Sequence, residues 1–455
     1  METNAASALG TERVGRLLFK LALPAVTAQI INVLYNVVDR MYIGHIEPVD
    51  TVGKMALTGV GVCMPLILII SAFAALVAMG AAPRASIFLG KQDLETAERI
   101  LGNSTVLLVG VALLLTPVFQ IWTKDILLAF GASPNTVAYG VSYMRIYSLG
   151  TLFVQLTLGL NAFISAQGFA KTSMLTVLIG AICNIVLDPI FIFLFKMGVA
   201  GAALATVLSQ AVSCIWILRF LTGSKTVLRL RWETIRLEPK IFLPCIALGL
   251  SPFIMQSTES LVSICFNASL QKYGGDLAVG AMTVLASVNQ FSILPLQGLT
   301  QGAQPIASYN FGARNKDRVR QTFRLLLISC VVYSILFWLA LQLFPQVFVL
   351  VFNSESQLVA FASRALRIYM LASCIFGIQI SCQQTFISLG NAKCSLFLAL
   401  LRKVILLIPL IYIMPCLMVD QTTAVFLAEP IADILAVTTT AILFAVQFRK
   451  ALAQL

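Results

Sequence analysis

Charge is scarce in this 455-residue chain. Asp, Glu, Lys and Arg together make up 11% of it, while 59% of its residues are hydrophobic. A soluble domain carries about 25% charged residues, so the balance excludes a water-soluble globular protein and points to a chain that crosses a membrane many times. Histidine is nearly missing: the one His is His45, at the end of an apolar run. One imidazole with no Cys or carboxylate cluster around it offers neither a metal site nor a Ser/His/Asp arrangement. The ten cysteines sit mostly in apolar stretches and form no CxxC pair, so they read as small buried apolar side chains. No GxxxxGK[ST] occurs, and Gly59-x-Gly61 lies within an apolar helical run with no strand before it. The chain therefore has no nucleotide loop of its own. No charge-flanked short apolar segment with a small-residue cleavage site opens the chain, so no signal peptide is expected.

What is present is hydrophobic length. A bilayer crossing needs about 20 apolar residues, and twelve such spans are expected, over roughly 17–44, 56–81, 100–121, 136–165, 173–195, 199–221, 241–271, 278–304, 321–345, 357–388, 395–417 and 421–447. The expected class is an all-α integral membrane protein. Residues 1–16 read as a short cytoplasmic tail or amphipathic lead-in, and 448–455 as a second cytoplasmic tail. Positive residues gather on one side of this plan. The segments 219–240 and 314–324 are rich in Arg and Lys, whereas the loops of the other side hold only Lys54, Lys124, Lys196 and Lys272. Positive residues stay inside, so both termini are expected in the cytoplasm, in a cell (inner) membrane. The net charge of +12 is accounted for by these loops and implies no nucleic-acid partner.

The chain also repeats itself. Pro83, Ser86 and Gly90 return as Pro305, Ser308 and Gly312, and Arg145-Ile146-Tyr147 returns as Arg367-Ile368-Tyr369, each 222 positions later. Phe163-Ile164-Ser165 and Ala170-Lys171 return at nearly the same offset. Two homologous six-span halves follow, 17–221 and 241–447, joined by the basic linker 222–240. Six is even, so the halves share one orientation and are related by an axis along the membrane normal, as in transporters with parallel repeats.

Polar residues inside the spans carry the functional argument. Gln29, Asn32, Asn36 and Asp39 are spaced by three, four and three and share one face of span 1. An ionisable group inside a span is costly and marks a functional site by default. Asn184 and Asp188, four apart, share a face of span 5 and are followed by Pro189; Thr206 and Gln210 do the same in span 6. If these stripes converge, Asp39, Asn184, Asp188 and Thr206 form an all-oxygen cluster. Two carboxyls held together favour sharing a proton, and the same oxygens suit a hard cation such as Na+. A polar network that merely joins helices is the plain alternative. At the repeat offset the second half has Leu406, Leu410 and Ala428, so the cluster is expected in the first half alone. The seventh span carries Gln256, Glu259, Ser260, Ser263 and Asn267 near one face, and the eighth carries Asn289, Gln290, Gln297, Gln301 and Gln304. Gln29, Asn32, Asn36, Gln210, Gln256 and Gln290 are candidates for a cavity wall. Glu259 is a candidate second carboxylate, with interhelical hydrogen bonding as its alternative.

The opening LALP, VVDRMYIGH at the end of span 1, ALTGVGVCMP, the RIY segments and NIVLDPIFI followed by GVAGAALATVLSQ resemble the multidrug and toxic compound extrusion (MATE) family over essentially the full chain. The resemblance implies two six-helix lobes around a V-shaped cavity. It also implies antiport of amphipathic, often cationic compounds against inward H+ or Na+, with no other cofactor and a monomer as the family expectation. In the prokaryotic branch that is most similar, the coupling positions correspond to Asp39, Asn184, Asp188 and Thr206, which would be the metal ligands if the ion is Na+. Another branch uses a carboxylate in the seventh span, which Glu259 resembles, and an Asp in the tenth, where this chain has Gln379 and Gln383 and no acid. A lipid-linked precursor flippase of the same superfamily is the alternative function, and would be expected to place basic groups in its cavity. No catalytic set of an enzyme is evident.

Overall fold

The computed structural model describes residues 4–47, 52–352 and 355–455; positions 1–3 of the expected N-terminal tail lie outside the described residues. Among the described residues sixteen α-helices follow in chain order: α1 Asn4–Thr11, α2 Val14–Gly44, α3 Lys54–Gly90, α4 Leu94–Ala129, α5 Val137–Leu149, α6 Thr151–Ala166, α7 Ala170–Pro189, α8 Val199–Thr222, α9 Pro239–Gly312, α10 Lys316–Leu343, α11 Pro345–Leu350, α12 Ser356–Tyr369, α13 Phe376–Ser388, α14 Ala392–Leu400, α15 Ile408–Leu417 and α16 Gln421–Ala453. No strand occurs among them. In lipid every backbone group must be satisfied within its own segment, so helices are the outcome such an apolar chain has available.

Among the described residues nine helical segments are long and apolar enough to cross a membrane, and two bent pairs each make one more. The bent pairs are α5–α6, at 58°, and α12–α13, at 46°, which correspond to the expected spans 136–165 and 357–388. The 74-residue α9 holds two spans: Gly275 breaks it with φ 65° and ψ −161°, a conformation that favours glycine. Its second arm then returns to the side where the first began. Twelve spans result. Pro189 does not stop α7; a wide π turn at Ile190–Leu194 carries the span onward, and a second π turn at Leu401–Leu407 joins α14 to α15.

Three segments outside the expected spans have structure of their own. In the lead-in, α1 docks on the second half, where Asn310 Nδ2 and Arg318 Nη2 donate to the Leu9 carbonyl at 2.8 and 2.9 Å and Arg318 Nη2 also donates to the Glu12 carbonyl at 2.8 Å. The C-terminal helix runs on to Ala453. The linker between halves is pinned rather than slack. Gln167 Oε1 accepts from Thr226 Oγ1 and from the backbone N–H of Val227 and Leu228 at 2.8–2.9 Å, and Glu238 pairs with Arg99.

The repeat is written in bonds as well as letters. Ser86 Oγ donates to the Ala166 carbonyl at 2.7 Å, and Ser308 Oγ to the Ser388 carbonyl at 2.8 Å. Gln120 Nε2 donates to the Arg145 carbonyl, and Gln342 Nε2 to that of Arg367. The helices α4 and α10 are capped alike, by Asp93 accepting from the Thr96 N–H and Asn315 from the Arg318 N–H. Each partner again lies 222 positions on.

Where the halves meet, backbones touch. A methyl at Gly90 would collide with the Tyr309 carbonyl, and one at Gly312 with the Ile87 carbonyl. Farther along, Gly80 faces Cys245 on the first arm of α9, and Gly302 on its second arm faces Ala22 of α2. Small residues let membrane helices approach this closely, which packing then rewards. The two halves are thereby in backbone contact on the side bearing both chain ends. A substitution that restores side chains at the crossing must part it: Gly312→Val is expected to cost about 1–3 kcal/mol of stability, read as a lower unfolding temperature in detergent and faster thiol labelling of Cys245. Gly61→Ala, which meets nothing within 4 Å, is expected to leave both unchanged.

Candidate functional site

Helices α2, α7 and α8 bring four of the expected residues together. Asn184 Nδ2 donates to Asp188 Oδ1 at 3.3 Å and to Thr206 Oγ1 at 3.4 Å, while Thr206 Oγ1 itself donates to the Ala202 carbonyl. From α2, the Asp39 carboxyl comes close enough to that of Asp188 for the two to interact. Asp39, Asn184 and Asp188 are buried, at 8%, 2% and 0% exposed. The amide of Asn184 is spent on its neighbours, so its oxygen is left over. Asp39 Oδ1, Asn184 Oδ1 and Asp188 Oδ2 are all buried with no hydrogen-bond partner. Buried polar groups of native proteins are nearly always satisfied. Two carboxyls meet in this way only with a proton between them or a cation beside them.

Tyrosines complete the wall, and the sequence reading missed them. Tyr35, one turn before Asp39, lies within reach of Asn36 and both acids. Tyr143 reaches Thr206 and stacks on Tyr147, their ring centroids 5.9 Å apart. Two signals for them existed. Tyr35 shares the i, i+4 face of Asp39, and Tyr147 belongs to the repeated Arg-Ile-Tyr segment.

The remaining stripe residues behave differently. Asn36 is exposed and turns back on its own helix, where its Nδ2 donates to the Asn32 carbonyl at 2.6 Å. Gln29 and Asn32 are half-buried along α2. In α8 the Gln210 side-chain oxygen is buried without a partner. Gln256 lines a cleft of about 200 Å³ together with Pro65, Leu68 and Ile69 of α3, Phe130 and Ser260. Gln290 is exposed and takes no part in the cluster.

The second half holds an ionic cluster that the sequence reading did not foresee. The pair Arg402 and Lys403, in the π turn between α14 and α15, was passed over there. Arg402 Nε donates to Asp433 Oδ1 at 2.7 Å and its Nη2 to Glu429 Oε1 at 3.0 Å, and the guanidinium lies 4.5 Å from the Phe376 ring centroid. Lys403 Nζ donates to Glu259 Oε2 at 2.8 Å. Glu259 is therefore engaged in interhelical pairing, the alternative left open for it, although its side chain is 56% exposed and that of Lys403 only 9%. The second half does not repeat the all-oxygen cluster, having Leu406, Leu410 and Ala428 at those positions, and carries ion pairs instead. By the repeat, α9, α14–α15 and α16 correspond to α2, α7 and α8, so both halves build their polar clusters on the same three helices. They do so with shifted residues, which a fixed offset cannot find. Gln379 and Gln383 form an uncharged network of amides and hydroxyls with Thr440 and Ser251.

The geometry defines a helical membrane protein with an internal two-fold repeat and an acidic cluster in its first half that leaves three buried oxygens without partners. The MatE family model matches residues 24–190 and 252–413, one match per half, and the chain belongs to this family. It is similar to the multidrug export protein MepA of Staphylococcus aureus (strain MSSA476), at 24% identity over 404 residues, covering 89% of this chain and 88% of that protein. The MATE multidrug transporter DinF-BH, solved as a complex, is 32% identical, with a TM-score of 0.88 and 96% of each chain covered. The outward-facing conformation of a multidrug resistance MATE family transporter superposes with a TM-score of 0.91, at 21% identity over 99% of each chain. The fold is thus the MATE fold, two six-helix lobes around a central V-shaped cavity.

The two clusters respond differently to loss of charge. Removing one member of a buried ion pair costs about 3–5 kcal/mol, because its partner is left charged and alone. Arg402→Met is expected to lose that much, read as a large drop in unfolding temperature. Combining it with Glu429→Gln and Asp433→Asn is expected to restore most of the loss.

Proposed function

We propose that this protein is a secondary active multidrug efflux transporter. It exports amphipathic, mostly cationic organic compounds by antiport against H+ or Na+, and it works as a monomer in the cell membrane with both termini in the cytoplasm. The lobes are residues 17–221 and 241–447, and the segment 222–240 links them. Family membership supports the transport class, and the likeness to MepA and DinF-BH supports drugs as the substrates. The observation that carries the coupling is the trio of buried oxygens without partners on Asp39, Asn184 and Asp188. With Thr206 they make an all-oxygen set of two acids, an amide and a hydroxyl, suited to a proton or a singly charged hard cation.

Coupling runs through α2. Near its start this helix crosses Gly298 and Gly302 of the second half at Val26 and Ala22. Near its end it delivers Asp39 to the first-half cluster. Charge neutralisation at Asp39 and Asp188 changes how tightly the end of α2 is held, and the same helix passes that change to the closed crossing. Ion and drug must then disfavour each other's binding by equal factors, since linkage is reciprocal. The basic groups of the second half, Arg402 and Lys403, are each paired with carboxylates, so they do not offer the anion-binding cavity that a lipid-linked precursor flippase would need.

The test uses inside-out vesicles with an acidified lumen and a pH-sensitive dye. An organic cation added outside is expected to drive proton release from the lumen. Asp39→Asn is expected to abolish this release while the protein remains folded. Cation uptake that follows a Na+ gradient without proton release would make Na+ the coupling ion. Full activity in Asp39→Asn would refute the first-half site, and no response to any cation with either ion would turn attention to lipid substrates.

A further inference from the structure

A groove of about 630 Å³ opens between α10, α11 and α12, on the membrane face away from both chain ends. Its apolar wall is Leu343, Phe344, Val347 and Ile368, and its polar wall is Ser363, Arg364 and Arg367. Ser363 is 7% exposed, and its hydroxyl has no hydrogen-bond partner. Arg364 is exposed and makes no hydrogen bond or ion pair among the described residues; it feels Asp420 only at longer range. Arg367 spends its Nε on the Gln342 carbonyl at 3.1 Å, which leaves the rest of its guanidinium fork to the groove. Two arginines beside a buried hydroxyl without a partner are an acceptor-seeking set, and guanidinium groups match phosphate oxygens two at a time.

The surroundings say what kind of acceptor fits. From the groove an exposed stripe runs down α10 through Leu339, Leu336, Val332 and Ile328, at the three- and four-residue spacing of one helical face. A ligand with an anionic head and long apolar chains would place its head on the arginines at the membrane boundary and its chains on this stripe. The repeat supplies an internal contrast. In the first half Ser142 stands at the position of Arg364, Lys124 at that of Gln346 and Asp125 at that of Val347, so the corresponding place has one arginine and one lysine in place of two arginines, with an acid next to the lysine. We infer that the groove between α10 and α12 is a binding site for an anionic phospholipid of the leaflet away from the chain termini, with Arg364, Arg367 and Ser363 holding its phosphate.

The site is independent of the ion coupling and is tested by binding alone. Purified full-length protein in detergent is offered equal amounts of phosphatidylglycerol and phosphatidylcholine, and bound lipid is counted by native mass spectrometry. Wild type is expected to prefer phosphatidylglycerol by about tenfold, the order of one charge-assisted pair. Arg364→Gln with Arg367→Gln is expected to bring the two lipids to parity, whereas Arg145→Gln leaves the preference intact. Should the double variant fail to fold, Ser363→Leu keeps both charges while filling the groove, and is expected to weaken phosphatidylglycerol retention by itself. Equal retention by wild type and variants would overturn the proposal. Thermal stabilisation by inorganic phosphate alone, lost in the same variants, with no preference between the lipids, would make this a free-anion site and overturn the lipid assignment.

Discussion

An ionised side chain inside a bilayer has to find a partner, and this protein meets that constraint in two opposite ways. In the second half, Arg402 lies between Glu429 and Asp433, and Lys403 stands on Glu259. Desolvation of each charge is offset by a neighbour built into the chain. In the first half, Asp39 and Asp188 face one another with no basic side chain hydrogen-bonded between them, and three oxygens of that cluster remain unsatisfied. One cluster is largely paired as folded, with a single oxygen, Glu429 Oε2, left without a partner. The other is incomplete unless something mobile and positive arrives, and that incompleteness is what a coupling site requires.

The second constraint is mechanical. Helices whose surfaces are as apolar as the lipid gain little from the hydrophobic effect on meeting one another, so close approach and polar contacts must hold the halves together. The glycine crossings at Gly90 and Gly312 provide the approach, and the bonds from Arg318 and Asn310 to α1 provide polar contacts on the same face. A seam made of backbone contacts has few side chains to rearrange, so it suits an interface that must part and re-form. The helix that bears Asp39 also crosses this seam at Val26 and Ala22, so one helix joins the acidic cluster to the crossing.

Much of this was legible beforehand because the bilayer imposes simple rules. Apolar length predicted twelve spans, and the 222-residue repeat predicted paired halves whose bonds now match, Ser86 with Ser308 and Gln120 with Gln342. The spacing of Asn184 and Asp188 predicted a shared face, and convergence with Asp39 and Thr206 followed once the helices packed. Other features were not legible. The offset that revealed the repeat concealed the second-half cluster, because Arg402, Glu429 and Asp433 have no charged counterparts at that distance. A span-by-span reading also gave Arg402 and Lys403 no role, since their partners lie on α9 and α16. Stripe position did not separate Asp39, which reaches the cluster, from Asn36, which bonds to its own backbone.

The sequence by itself determined the class: an all-helical membrane protein with a duplicated half, and acids too few and too well spaced to be incidental. Those are properties of single helices and of the chain compared with itself. Only the tertiary structure decided which charges are compensated and which are not. Whether a carboxyl inside a membrane is a strut or a site depends on the side chain a few ångströms away on another helix, and helical periodicity carries no information about that distance.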